Sequence, residues 1–269
     1  MARLLFTAFS NREDAVELAR EVGERLGSEG LENQTYFLDA PDPPELSESD
    51  LVISLGGDGT FLRAARLAHR FGARVLAVNL GRLGFLLNVP PEELVDDVKH
   101  SLRHDHVVDR LALSISRPGG QPDEFALNEV VLERAHAGSM VRVKSYVGDD
   151  EYLSYSADGV MVATPTGSTG YNFSAGGPVV EATLKVMMLT PIAPHFTIDR
   201  TIVVDGDKVV RLVTENKPAE IVADGRSIGT LAPGESISVS KSPTPVRVVA
   251  TRSFELGFRL RESLREGHA

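Results

Sequence analysis

A chain of 269 residues with 42% apolar and 25% charged side chains has the composition of a soluble globular protein, long enough for one large domain or two ordinary ones. No stretch approaches the ~20 apolar residues that span a bilayer, and the start MARLLFTAFSNRED meets acid before a signal-peptide core accumulates, so a cytoplasmic protein is expected. The absence of cysteine excludes disulfides, thiolate metal sites and cysteine nucleophiles, and a net charge of −10 argues against nucleic-acid or anionic-membrane partners.

In chain order, RLLFTAF reads as a strand, REDAVELAREVGERLGSEG as an amphipathic helix closing near Gly27 or Gly30, and QTYFLDA as a second strand. A proline-rich acidic loop, APDPPELSESD, leads to the strand LVISL, a glycine turn and the helix FLRAARLAHRFG. The strand RVLAVNL, a second glycine-spaced turn GRLGF and the helix PPEELVDDVKHSL follow. Strands separated by helices imply a parallel sheet with helices on its faces. From about residue 106 short β-rich runs succeed one another: LALSIS, EFALNEVVLER, VRVKSYV, VMVATP and SISVSKSPTPVRVVAT. TIVVDGDKVVRL and EIVADGRSIGTL each set Asp-Gly between alternating apolar runs, the strongest short cue for a hairpin. The expected fold class is α/β plus β. A Rossmann-like α/β domain covers 1–105, a β-rich, sandwich-like domain covers 106–250, and a C-terminal segment, 251–269, packs back on the first domain.

The segment LVISLGGDGTFLRAAR carries a strand into a glycine turn and a helix. Such turns hold phosphate, because bare N–H groups and the positive end of the helix dipole face the anion. The spacing fits neither the P-loop nor G-x-G-x-x-G, and its ionisable residue is an acid, Asp58. Asp58 is either a cap that accepts from backbone N–H groups, or a base. A carboxylate beside phosphate is repulsive unless it holds a cation or takes the proton of an attacking hydroxyl. In so acidic a chain a phosphorylated ligand depends on local N–H groups, a few arginines and a divalent cation.

A second constellation, DGVMVATPTGSTGYNFSAGGP over 158–178, packs small and hydroxylated residues densely after a short strand. Small residues let a ligand approach the backbone, and Thr164, Thr166, Ser168, Thr169 and Ser174 offer uncharged hydrogen bonds. Tyr171 either stacks on a base or fills core. Asn128-Glu129 suits ribose hydroxyls or an adenine edge, but neighbouring strand residues face opposite ways unless a bulge or the strand's end admits both. Asp224-Gly225-Arg226 is first a turn, with Arg226 in reach of a phosphate as its second reading. His100 and His104, spaced i, i+4 near His106, could hold zinc, yet no further ligand cluster supports it. No G-x-S-x-G elbow or Ser/His/Asp order points to hydrolysis.

Taken together these segments resemble the NAD kinase family, which transfers phosphate from ATP, or in some members polyphosphate, to the adenosine ribose 2′-hydroxyl of NAD. LGGDGTFLRAAR, VNLGRLGFL, NEVVL, DGVMVATPTGSTGYNFSAGGP and LTPIAPH match in order and rough spacing. GGDGT alone is shared with lipid kinases; joined to TPTGSTGYNFSAGGP it is specific. The resemblance implies that Asp58 is the base, that Gly59 lies beside the nucleotide and that Arg63 neighbours a phosphate. It implies that Asn128, Glu129 and Asp158 hold NAD and that Thr169, Gly170, Tyr171, Asn172, Phe173 and Ser174 line its adenosine and nicotinamide sites, with Ala193 and Arg226 as further lining. NAD and ATP are the implied substrates, Mg²⁺ carried by ATP the implied cation, with no metal ligands in the chain, and a homodimer or homotetramer the implied assembly. Three positions depart from the family: Gly170 replaces the usual Ala, Ser156 replaces a common basic residue, and HFTIDRTIVV replaces a pattern nearer PHTLSxRPIVV. The competing readings are a diacylglycerol or sphingoid kinase, which would need a greasy cleft, and a nucleotide sensor that has lost turnover.

Overall fold

The computed structural model describes residues 3–48, 50–81, 89–104, 106–136, 138–195 and 197–250, in two units: Met1 to Asp109, rejoined at Thr244, and Arg110–Pro243. In the first unit β1 (Leu4–Ala8) is buried throughout, as a strand with helices over both faces must be. Helix α1 (Glu13–Ser28) buries Ala15, Ala19, Val22 and Leu26 along one stripe, with acid in its first turn and Arg25 in its last, as the helix dipole favours. After β2 (Asn33–Phe37) and the fully buried β3 (Leu51–Gly56) comes α2 (Asp58–Phe71). It stops where Gly72 turns left-handed at φ 67 and the cap N–H groups reach Ala68 and His69. Strand β4 (Arg74–Asn79), α3 (Leu94–Arg103) and β5 (Val107–Arg110) complete this run. β1 pairs in parallel with β2 and β3, and β3 with β4, as the βαβ alternation requires.

The second unit is a sandwich of two six-stranded sheets. Its strands are β6 (Leu113–Ser116), β7 (Glu124–Ala126), β8 (Glu129–Arg134), β9 (Val141–Val147), β10 (Asp150–Ala157) and β11 (Gly159–Ala163). A four-residue helix, α4 (Tyr171–Ser174), precedes β12 (Val186–Ile192), β13 (Ile202–Asp205), β14 (Val210–Thr214), β15 (Ala219–Ala223), β16 (Arg226–Leu231) and β17 (Ser236–Lys241). One sheet runs β10-β9-β14-β17-β6-β7 and the other β13-β12-β11-β8-β15-β16. Alternate residues of both, such as Val143, Leu212 and Ile237 on one side and Leu132, Val160 and Leu189 on the other, form a single core between them. The second sheet buries its other face too, placing Val131, Met161, Ala163 and Met188 against Ala175, Val180, Ile192 and Val222. The long loop after β11 is therefore packed against the sheet.

Two expectations change. Asp224-Gly225 does make a two-residue hairpin turn between antiparallel β15 and β16, with φ of 48° and 73°. Asp205-Gly206 does not: β13 pairs with β12 while β14 pairs with β9 and β17 in the opposite sheet. The Gly206 N–H donates to the Lys185 carbonyl at 3.0 Å, and a Cβ on Gly206 would lie 2.9 Å from that peptide, so the glycine serves a crossing between sheets. The second change concerns the boundary expected at 250. Strand β18 (Val246–Val249) pairs in parallel with β4 and joins the first sheet, whose order is β2-β1-β3-β4-β18-β5. VRVV alternates as any half-buried strand does, and alternation does not say which sheet receives it. The expected segment 251–269 and the turn GRLGF beyond Gly81 lie outside the described residues.

Candidate functional site

In the first unit β2 and β3 flank β1 on opposite sides, so the winding direction reverses between β1 and β3, the place where open α/β sheets bind ligands beyond the carboxyl ends of their strands. GGDGT follows the carboxyl end of β3. Gly56 has φ 157, and a Cβ there would meet Thr60 Oγ1 at 2.4 Å, so the strand can turn under the helix only without one. Gly57 is the cap residue and its carbonyl accepts from the Phe61 N–H at 3.0 Å. Asp58 is thus the first helical residue, one place inside the cap, half-buried beside the exposed Gly59. The N–H groups of Gly59 and Thr60, in the first turn, have no acceptor within the helix. A Cβ on Gly57 or Gly59 would meet nothing within 4 Å. Arg63, one turn on, is exposed, with its guanidinium 4.9 Å from the centre of the Phe9 ring.

In the second unit the residues before β8 meet the loop after β11. Asn128 lies just outside the strand and Glu129 is its first residue, so the strand's end lets both side chains face one way. A Cβ on Gly170 would stand 3.5 Å from Asn128 Nδ2 and 3.6 Å from Glu129 Oε2, which identifies that common direction. With φ −92 at Gly170, these ordinary contacts leave room for the alanine of the family pattern. Gly167 is different: a Cβ would fall 2.2 Å from the Asn128 carbonyl oxygen, so the loop reaches the strand end only as glycine. Thr164 donates its hydroxyl to the Leu127 carbonyl at 2.6 Å, and its oxygen accepts from the Gly167 N–H at 3.1 Å. Ser168 closes on both polar groups of Val180 at 3.1 Å.

Against this closed frame three buried polar atoms have no partner in the protein: Asn128 Oδ1, Glu129 Oε2 and Thr166 Oγ1. A native fold rarely leaves such atoms unmet. Burial first, and the charge of Asp224 second, push the Glu129 carboxyl up to about 8. On α4, Tyr171 and Phe173 expose 41% and 54% of their surface. Burial raises the Tyr171 hydroxyl as well, with Glu133, Asp158 and Glu129 adding to the effect. Thr169 and Gly170 are half-buried and Ser174 is exposed. Asp158 pairs with Arg134 at 2.9 Å. Ala193 follows β12 in a left-handed turn at φ 45.

Other residues singled out from the sequence have their surroundings within the protein. Asn172 does not line an open surface. It is completely buried, its amide nitrogen donating to the Pro178 carbonyl at 3.1 Å while its oxygen accepts from the Thr190 hydroxyl at 2.7 Å. A Cβ on Gly177 would lie 2.3 Å from Asn172 Oδ1, so the residue is the knot of the loop. Arg226 spends its guanidinium on Glu124 at 2.6 Å. Ser156 meets the PIAPH run through its backbone, accepting from the His195 N–H at 2.8 Å. Arg200 pairs with Asp199 at 3.0 Å, and Phe196 lies outside the described residues. The rings of His100, His104 and His106 gather 4.5–6.1 Å apart, but no group of three or more metal donors is formed among the described residues. Asp224 is the residue that sequence reasoning missed. Read as a turn former, it accepts from the N–H groups of Leu127 and Asn128 at 2.8 Å and of Glu129 at 3.2 Å. An Asp at the first position of a left-handed Asp-Gly turn was the available signal.

Two family models match the chain, the ATP-NAD kinase N-terminal domain over residues 17–106 and the ATP-NAD kinase C-terminal domain over 127–251. An NAD kinase of Heliobacterium modesticaldum is 36% identical over 275 residues, covering 96% of both chains. One of Caldanaerobacter subterraneus subsp. tengcongensis is 39% identical over 226 residues, 82% of this chain and 80% of its own. The crystal structure of an NAD kinase from Archaeoglobus fulgidus in complex with ATP superimposes with a TM-score of 0.77 at 28% identity, covering 97% of this chain and 99% of that one. With both halves matched and relatives aligned almost end to end, the chain belongs to the NAD kinase family.

Proposed function

We propose that this NAD kinase transfers the terminal phosphoryl group of ATP to the adenosine ribose 2′-hydroxyl of NAD, with Asp58 as the base. The observation that carries this role is the place of Asp58 at the first position of α2, in the turn whose N–H groups form the positive end of the helix. Those N–H groups suit the donor's phosphates, and the open space over Gly57 and Gly59 lets phosphate approach the backbone. As the hydroxyl oxygen bonds to phosphorus and the bond to the leaving ADP breaks, Asp58 accepts the hydroxyl proton. Asn128, Glu129 and Thr166 offer unmet polar atoms to the acceptor's hydroxyls, and Tyr171 and Phe173 offer exposed ring faces to its bases. Asp158, Thr169, Gly170, Ser174 and Ala193 complete the proposed lining, with Arg63 near phosphate.

The Archaeoglobus relative was crystallised with ATP, which supports ATP as donor. A divalent cation, Mg²⁺ by its usual pairing with ATP, would neutralise charge on the phosphates. Among the described residues no group of three or more His, Asp or Glu is gathered to hold a metal ion. We place the protein in the cytoplasm as a homodimer or homotetramer. Tyr152 on the edge strand β10 and Val203 on the edge strand β13, both exposed, support an associating surface. Among the described residues no helix is long and apolar enough to cross a membrane. The decisive experiment is Asp58→Asn: turnover falls about 10²-fold or more while NAD affinity stays within about tenfold. Near-normal NADP formation would make Asp58 structural, and phosphorylation of diacylglycerol in place of NAD would overturn the substrate.

A further inference from the structure

The peptide that carries Asn128 and Glu129 is held along both edges. On one, Asp224 Oδ2 accepts from Leu127 N–H at 2.8 Å, and its Oδ1 accepts from Asn128 N–H at 2.8 Å and Glu129 N–H at 3.2 Å. On the other, the Thr164 hydroxyl donates to the Leu127 carbonyl at 2.6 Å and the Thr164 N–H to the Asn128 carbonyl at 2.8 Å. Asp224 reaches this place from a turn with φ 48, a conformation that Asp tolerates better than most residues. We propose that Asp224 is a positioning residue for the dinucleotide pocket, fixing the rim peptide 127–129 and with it the hydrogen-bonding sense of Glu129. This rests on reading the pocket as the NAD site.

Both oxygens of Asp224 act as acceptors, the behaviour of an ionised carboxylate. Glu129 is 7% exposed, and its Oε2 has no partner in the protein. A second negative charge beside the first, in so dry a place, is costly. Tyr171, facing Glu129 from α4, is itself held protonated by burial and by Glu133, Asp158 and Glu129, so it stays neutral and brings no charge of its own. Burial and Asp224 together push Glu129 up to about 8. At neutral pH Glu129 therefore enters the pocket as a neutral acid, able to donate to a ribose or phosphate oxygen as well as accept. Burial does most to make it a donor, and Asp224 adds to that without touching the ligand.

Two variants test this. Asp224→Asn keeps one acceptor oxygen but turns an amide against a backbone N–H. The KM for NAD should rise about tenfold, with kcat changing far less. In ¹³C-labelled protein the Glu129 carboxyl should titrate near 8 in the native chain and about one pH unit lower in Asp224→Asn. Glu129→Gln keeps a neutral donor that cannot ionise, so the rise of NAD KM expected above pH 8 in the native enzyme should vanish. The idea fails if Glu129 titrates at the same pH in both chains, or if Glu129→Gln retains the alkaline rise. Should Asp224→Asn not fold, the Glu129→Gln profile still decides. If the native chain makes no NADP, the reading of the pocket falls, while the titration still judges Asp224.

Discussion

The turn at the head of α2 and the loop after β11 are both rich in glycine, and the missing side chains serve different ends. At Gly57 and Gly59 a Cβ would meet nothing within 4 Å. At Gly167 and Gly177 it would strike the protein itself, 2.2 Å from the Asn128 carbonyl oxygen and 2.3 Å from Asn172 Oδ1. The first pair leaves space for something outside the chain, the second for another part of the chain. Glycine density alone does not distinguish a ligand cradle from a tightly folded wall. What distinguishes them is whether the space beside each Cα is already filled.

Substitutions can break or sharpen this contrast. The largest effect belongs to Asp58→Asn, which should cost about 10²-fold or more in turnover with an unchanged thermal midpoint, read by steady-state NADP formation and calorimetry. Gly167→Ala should act on the fold, lowering the thermal midpoint by about 10 °C through a collision with backbone that cannot move aside. Asn172→Ala, which strands the Pro178 carbonyl and leaves the Thr190 hydroxyl with Thr201 alone, should cost about 2 kcal/mol in denaturant unfolding.

Glu129→Gln should show its effect through pH. The folded state raises the Glu129 carboxyl from its ordinary value of 4.5 to about 8, so between those values the native protein binds more proton than the unfolded chain. Stability from this group is whole below the lower value and is lost as pH rises to the upper one. Glu129→Gln should therefore be increasingly more stable than the native chain from pH 5 to pH 8, as read by midpoint against pH. The smallest change is Gly59→Ala. With no neighbour to strike, it should leave stability equal or up to about 1 kcal/mol higher, yet raise the KM for ATP several-fold. Unchanged ATP binding would show that the space over Gly59 serves no ligand.

The α/β half was legible because periodicity is local: LVISL and the i, i+4 stripe of α1 announce their elements without reference to anything distant. Helix α2 begins at Asp58, before the FLRAAR run that marks its apolar face, because Gly57 supplies the cap with its backbone. That shift of three residues matters, since it moves the acid from a loop into the first turn of a helix. Other features depend on partners far along the chain. Asp205-Gly206 and Asp224-Gly225 look alike in sequence, but the peptide of Lys185 and the N–H groups of 127–129 give them unrelated tasks. Asn172 reads as a polar loop residue until Thr190 and Pro178 close over it. Asp224 reads as a turn former until the N–H groups of Leu127, Asn128 and Glu129 are found on its carboxylate.

The place of β18 has a consequence for the architecture as a unit of inheritance. The chain leaves the first sheet after β5 and re-enters it at β18, and these two strands are neighbours. Adjacent strands lie roughly 5 Å apart, so the sandwich is a guest whose entrance and exit share one doorway in its host. Such a guest can be cut out, closed with a short linker or re-threaded from new termini without disturbing the host's strand order. The host has no equivalent freedom. Trimming the chain at the end of the sandwich removes an interior strand of the opposite unit, which ties together the survival of two halves that look separable in sequence.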